Sequence, residues 1–74
     1  MKKALKNWND QLNRIAEEIE DAIEERENTF DDRSERWQES EKGDEYFEKT
    51  EELRSVLDEL QMARDSLDSF KDSL

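Results

Sequence analysis

The chain of 74 residues contains no cysteine, no histidine, no proline and only one glycine. Without cysteine it can form neither disulfides nor thiolates, which is compatible with a reducing cytosol. Cysteine as a nucleophile and histidine as a general base are therefore missing, and no serine or lysine has a recognisable activating partner. We therefore expect a protein that is not an enzyme. Because proline is absent, neither half of the chain contains a helix breaker.

Apolar residues are also scarce, at 31% of the chain. No apolar run approaches the roughly 18 to 20 residues that span a membrane, and the first three residues do not lead into a hydrophobic signal core. We expect a single cytoplasmic domain over residues 1–74, with a small core and no membrane association.

Acidic residues outnumber basic ones by 23 to 12, which gives a net charge of −11. This charge disfavours direct binding to nucleic acid or anionic lipid and favours cationic partners. Low hydrophobicity with high net charge is also typical of intrinsically disordered chains. The apolar residues recur at helical spacing, however, and this argues against disorder.

A heptad pattern predicts a helix over residues 44–73, because apolar residues there alternate in steps of three and four. This stripe, which we assign to the core and to self-association, comprises Leu53, Val56, Leu60, Ala63, Leu67 and Phe70. Leu57 widens it.

The amino-terminal half repeats the pattern and predicts a helix over residues 3–28. Its stripe comprises Leu5, Trp8, Leu12, Ile15, Ile19 and Ala22, with a parallel row at Ala16, Ile23 and Phe30. Trp8 lies on the stripe, so we expect it in the core.

The connector is predicted over residues 29–43, with a short helical piece over residues 35–39. Residues 28–34 favour caps and turns. Gly43 is expected to take a positive φ while Asp44 caps the second helix.

These elements predict an all-α fold, an antiparallel two-helix hairpin that dimerises into a four-helix bundle. The alternative is a monomer closed at the turn end by the aromatics Phe30, Trp37, Tyr46 and Phe47. An antiparallel arrangement would also pair three early lysines with three late aspartates. These are Lys2, Lys3 and Lys6 with Asp65, Asp68 and Asp72.

Nine carboxylates lie between residues 17 and 32 against one cation, Arg26. Several are four residues apart, a spacing at which like charges cost a helix roughly 0.2–0.5 kcal/mol per pair. We predict a partner-binding acidic face made of Glu17, Glu20, Asp21, Glu24, Glu27, Asp31 and Asp32. The second helix can add Glu48, Glu51, Glu52, Asp58, Glu59 and Asp65.

The alternative interpretation of this face is a solvated surface that keeps a small bundle soluble. Trp37 is a possible aromatic anchor for a partner, or a cap on the core. Carboxylates could hold a hard cation, but the EF-hand spacing is absent and there is no histidine for a di-metal site. We predict no metal and no cofactor.

Residues 27–45 read ENTFDDRSERWQESEKGDE. This stretch resembles the connector of small acidic helical proteins encoded by phages and other mobile elements, a group with no settled activity. The resemblance implies genes that act against or alongside a host, and a location in the host cytoplasm. Similar small acidic phage proteins include inhibitors of restriction and CRISPR enzymes.

We therefore expect a protein-binding module whose acidic surface mimics DNA and occupies the basic surface of a host nucleic-acid-binding protein. The alternative function is a coiled-coil structural or adaptor homodimer. A leucine zipper that reads DNA is disfavoured, because residues 45–52, just before the leucines, are acidic rather than basic.

Overall fold

Three helices account for nearly the whole chain. The structure, a computed structural model, describes residues 1–74 and contains α1 (Lys2–Asp31), α2 (Glu35–Gln38) and α3 (Glu41–Asp72). There is no strand, so the all-α prediction is confirmed as a pair of long helices with a short helix between them. No helix combines the length and the apolar content needed to cross a membrane.

The amino terminus of α3 differs from the sequence prediction. The helix begins at Glu41 rather than Asp44, and Gly43 does not have a positive φ. Ser40 is the capping residue, because its side chain accepts a hydrogen bond from the Gly43 amide at 3.2 Å. With Glu41 and Asp44 in the first turn, the acids suit the positive end of the helix dipole.

Gly43 is required by a close approach between helices rather than by a turn. A Cβ added there would stand 2.5 Å from the carbonyl oxygen of Gln38 and closer still to that of Trp37. Both obstacles belong to the backbone of α2, so they cannot rotate away. The single glycine therefore lets α2 fold back onto the first turn of α3.

The carboxyl end of α1 extends three residues beyond the predicted limit and is completed by Gln38. The Gln38 Nε2 group donates hydrogen bonds to the carbonyl oxygens of Phe30 at 2.9 Å and Arg33 at 3.0 Å. The last carbonyls of a helix have no partner within the helix. A side chain of α2 thus provides a hydrogen-bond donor of the kind that a carboxyl-terminal cap provides.

The two long helices run in opposite directions along their contact. Asn9 reaches Asp68, with Nδ2 to Oδ1 at 3.0 Å, and Phe30 packs on Phe47, with ring centroids 6.1 Å apart. The pair is a rod of 55 × 15 × 11 Å. Its radius of gyration is 16.8 Å, against about 11 Å for a compact domain of this length.

One row of residues on each helix faces the other helix, as their burial and contacts indicate. On α1 this row is Leu5, Asn9, Leu12, Ala16, Ile19, Ile23, Arg26 and Phe30. On α3 it is Tyr46, Thr50, Leu53, Leu57, Leu60, Arg64 and Leu67.

Half of the predicted α3 stripe lies outside this contact. Val56 and Phe70 are 47% and 45% exposed, and Ala63 is exposed. The facing row steps by four residues from Leu53 to Leu57, not by three to Val56. Leu53, Leu60 and Leu67 do lie in the facing row, but Leu57 and Arg64 take the places that the sequence assigned to Val56 and Ala63.

The α1 prediction needs the same correction. Trp8 and Ile15 are 45% and 43% exposed, so the expectation that Trp8 lies in the core was wrong. The predicted parallel row supplies the contact instead, with Ala16 and Ile23 buried and Phe30 partly buried.

The expected pairing of early lysines with late aspartates is also wrong. The ion pairs are Lys49 with Glu52, Arg54 with Glu27 and Arg54 with Glu51. We call the end of the rod where α1 begins and α3 ends the open end. There, Asp68 accepts a hydrogen bond from Asn9. A neutral amide in the facing row thus takes the place that the charge pattern assigned to a lysine.

Aromatic side chains close the turn end. Trp37 contacts Phe30 at 5.9 Å and Tyr46 at 5.8 Å between ring centroids, both edge to face. The Arg33 guanidinium lies 4.4 Å from the centre of the Trp37 ring. Trp37 is only partly exposed, so it caps the contact between the helices, one of the two roles considered from the sequence.

Replacing Gly43 with alanine tests the close approach of α2 and α3. An unconstrained helical glycine gains about 1 kcal/mol on this change. Here we expect the free energy of unfolding to fall by about 1–3 kcal/mol, because a methyl group meets fixed backbone. Urea denaturation followed by circular dichroism measures it. Ser66→Ala, at an exposed position of the same helix, is the control, and equal stabilisation by both changes would contradict the packing.

Candidate protein-interaction surface

The helix pair has two long flanks, and a contact between the helices identifies one of them. Glu27 directly follows the facing residue Arg26, and Arg54 directly follows the facing residue Leu53. Glu27 and Arg54 form an ion pair. The facing residues of each helix alternate between two positions of the heptad. In an antiparallel pair, the residues that directly follow one of these positions meet on one side of the contact. The residues that directly precede the other position meet on the opposite side.

Acids from both helices gather on the flank marked by this ion pair. Because a helix has about 3.6 residues per turn, residues spaced three and four apart in α1 stay on this same side of the rod. We call the following exposed residues the acidic flank: Glu17, Glu20, Glu24, Glu27 and Asp31 of α1, and Asp44, Glu51, Asp58 and Asp65 of α3.

Five of the seven acids that the sequence assigned to a binding face lie on the acidic flank. Asp21 points away from α3 on the outer surface of α1, and Asp32 directly follows the last residue of α1. Of the acids that the second helix was expected to add, Glu51, Asp58 and Asp65 join the flank.

The other three acids that α3 was expected to add lie elsewhere. Glu48, Glu52 and Glu59 lie on its other faces by helical position. Asp44 belongs to the acidic flank, although the sequence predicts for it only a capping role. Its spacing of seven residues from Glu51 is the signal that could have identified it.

Arg26 does not neutralise the acidic flank, although it is the only cation in the acidic part of α1. Its Nε donates to Thr50 Oγ1 at 2.9 Å and its Nη2 donates to the Tyr46 carbonyl oxygen at 3.1 Å. The guanidinium also lies 4.0 Å from the centre of the Tyr46 ring. This polar contact between helices, which the sequence reading missed, leaves Arg54 as the one cation among these acids.

The charges of α1 are arranged against its own dipole. Its first turn contains Lys2 and Lys3 and no acid, and its last turn contains Asp31 and no base. Cations near the amino terminus and anions near the carboxyl terminus each cost a helix about 0.3–1 kcal/mol at exposed positions. In α3 the order is favourable, with acids in the first turn and Lys71 in the last.

A cleft of about 150 Å³ opens between α1 and α3 within the acidic flank. Phe30 and Phe47 form its apolar part, and Phe47 is 52% exposed. Carboxylates line it together with Arg54, which also contacts Glu51 at 3.3 Å. Its lining residues are Glu27, Phe30, Asp31, Phe47, Thr50, Glu51 and Arg54.

The opposite flank carries a row of apolar side chains. Five of them directly precede facing residues of their own helices, and Phe70 continues their spacing of seven residues on α3; all six are partly or largely exposed. We call the following residues the apolar flank: Trp8, Ile15 and Ala22 of α1, and Val56, Ala63 and Phe70 of α3. The acidic flank and the apolar flank thus lie on opposite long sides of the rod, and the Lys49–Glu52 ion pair borders the apolar flank toward the turn end.

The acids of the acidic flank follow one another along the rod and do not surround a common point. No group of three or more acidic side chains is placed to hold a metal ion.

Comparisons with protein families, with curated proteins and with solved structures find no match to this chain. Its function is therefore inferred from geometry and charge.

Replacing Thr50 with valine tests the polar contact that sets the register of both flanks. Thr50 is 4% exposed, and valine would leave the partly buried Arg26 Nε without its acceptor. We expect the free energy of unfolding to fall by about 1–2 kcal/mol. Thr29→Val removes a hydroxyl that bonds only within an exposed part of α1 and should change stability by less than about 0.5 kcal/mol. Equal effects of the two changes would contradict a role for the contact.

Proposed function

We propose that the chain is a non-enzymatic protein-binding module whose acidic flank occupies the nucleic-acid-binding groove of a host protein. In this role it acts as a DNA mimic against a restriction or CRISPR-type enzyme, as a phage or mobile-element inhibitor. The observation that carries the proposal is the gathering of acids from two helices on one side of a rod. Enzymes that hold nucleic acid line their grooves with lysine and arginine, which such a surface complements.

The spacing of charge on the acidic flank supports mimicry of a nucleic acid backbone. From Glu17 to Asp31, α1 advances about 21 Å and presents five acids. Across from it, Glu51 and Asp58 add two charges and Arg54 removes one. One net negative charge thus falls about every 3.5 Å along the rod, against about 3.4 Å for the phosphates of one DNA strand.

The same acids are poorly placed for the stability of their own helix. They repel one another at spacings of three and four, and Asp31 opposes the helix dipole. The one nearby cation on α1 is turned toward α3. A face selected only for solubility would alternate its signs at little cost, so this arrangement favours a functional role.

The cleft beside Phe47 gives the acidic flank a point of specificity. An arginine or lysine of the partner inserts its aliphatic stem against the exposed ring and brings its charged head to Asp31 and Glu51. Such side chains bury their stems on apolar surface while the head stays paired. An aromatic anchor surrounded by charge is a typical hot spot.

Charge-neutral variants with matched net charge test the acidic flank. The flank variant carries Glu17→Gln, Glu20→Gln and Glu24→Gln. The control variant carries Glu18→Gln, Glu25→Gln and Glu59→Gln, which remove equal charge from exposed positions outside the flank. Each chain is immobilised, exposed to nuclease-treated bacterial lysate, and eluted with duplex DNA.

We expect wild type and control to capture a protein that duplex DNA releases, and the flank variant to lose most of that binding. Raising salt should weaken the complex steeply, since charge pairs across the surface carry it. Equal capture by all three chains, or equal loss in both variants, would contradict a role for this flank in particular.

The second candidate is self-association of the helix pair, as a hairpin, into a four-helix bundle. It is favoured by the exposed surface of 6013 Å². A compact monomer of 8.9 kDa exposes about 4,800 Å². The excess of about 1,200 Å² is more than the roughly 800 Å² that each partner buries in a standard interface.

Sedimentation equilibrium tests self-association. We expect a mass of twice 8.9 kDa at micromolar concentration. Added salt should strengthen the association, because two chains of net charge −11 repel each other and salt screens the repulsion. Salt acts in the opposite direction on capture of a basic partner. A mass of 8.9 kDa up to millimolar concentration in high salt would exclude the bundle.

A further inference from the structure

The apolar flank has no role in the contact between α1 and α3. We propose that it is the seam for a second copy of this chain, packed so that the turn end of one copy lies against the open end of the other. The inference rests on the self-association proposed above and adds the face and the orientation. Each copy stacks α1 on the partner's α1 and α3 on the partner's α3, around a two-fold axis near Ile15 and Ala63.

Side-chain size favours this orientation. Near the open end, Trp8 of α1 lies at the level of Phe70 of α3, and both side chains are large. Toward the turn end, Ala22 lies at the level of Val56, and both side chains are smaller. Reversed packing sets the large pair of one copy on the small pair of the other. Packing with like ends together would crowd two tryptophans and two phenylalanines at one level and leave space at the other, and both faults are destabilising.

Charge favours the same orientation. The open-end half, residues 1–15 and 60–74, contains six bases and four acids and has a net charge of +2. The turn-end half, residues 16–59, contains six bases and 19 acids and has a net charge of −13. Reversed packing brings the +2 half of each copy alongside part of the −13 half of the other, whereas packing with like ends together sets −13 against −13.

The lengths also fit. With Ile15 on the axis, residue 2 of one α1 lies across from residue 28 of the other, so nearly all of Lys2–Asp31 overlaps, and with Ala63 on the axis α3 overlaps over residues 54–72. The two acidic flanks then point away from each other, on opposite sides of the bundle. The dimer is thus a rod with two nucleic-acid-like faces, able to engage two basic grooves at once.

One pair of variants tests the face. Ile15→Asp places a charge on the apolar flank, and Met62→Asp places one on a side chain that is 67% exposed outside it. We expect Ile15→Asp to shift the sedimentation mass from that of two chains to that of one, with helicity by circular dichroism retained. Met62→Asp should leave the mass unchanged. The proposed face is overturned if Met62→Asp dissociates the dimer and Ile15→Asp does not.

Single cysteines test the orientation, since the chain has none of its own. With a short bifunctional thiol reagent, Ile15→Cys alone and Ala63→Cys alone should each cross-link to a covalent dimer. If like ends pack together, Ile15 faces the partner's α3, so neither variant links alone and only their mixture does. That second pattern overturns the orientation. Asn13→Cys, on the other side of α1, is the control and should not cross-link.

These outcomes are separable from the other proposals. A wild-type mass of one chain overturns the seam together with self-association, and leaves the acidic flank to be judged by its own variants. A dimer with the second cross-linking pattern overturns only the orientation. The capture experiment with duplex DNA does not depend on either result, because each copy carries a whole acidic flank.

Discussion

The hydrogen bonds between Arg26 and α3 constrain the whole structure, because they help to fix which row of each helix faces the other. Arg26 reaches both the Thr50 hydroxyl and the Tyr46 carbonyl oxygen, so the contact can form in only one register. A polar group within a helical interface is a known way of specifying register, at some expense of stability. Once this row faces inward, acids lie on one flank and apolar side chains on the other.

The sequence predicted the elements well and the facing row poorly. Apolar periodicity located both long helices, and the turn-forming residues located the break and the short helix α2. Periodicity could not choose between two adjacent rows on α3, because Ala63 is by hydrophobicity a better core residue than its neighbour Arg64. The choice depends on where Arg26 finds acceptors, and those come from a helix 20 or more residues away in the chain.

The candidate site was predicted in part for the same reason. The acids of α1 are dense enough to be noticed directly, but their convergence with Asp44, Glu51 and Asp58 depends on the packing of two helices. The cleft between Phe30 and Phe47 has no local sequence signal at all. The carboxamide of Gln38, which completes the end of α1, is likewise a contact between separate elements.

The central claim is that the row containing Thr50 faces α1 and so creates the two flanks. Nuclear Overhauser spectroscopy tests it most directly, through the protons of the Arg26 side chain. The account predicts cross-peaks from these protons to the Tyr46 ring and to the Thr50 side chain. An Arg26 side chain without these cross-peaks, free in solvent beside Glu27, would contradict it.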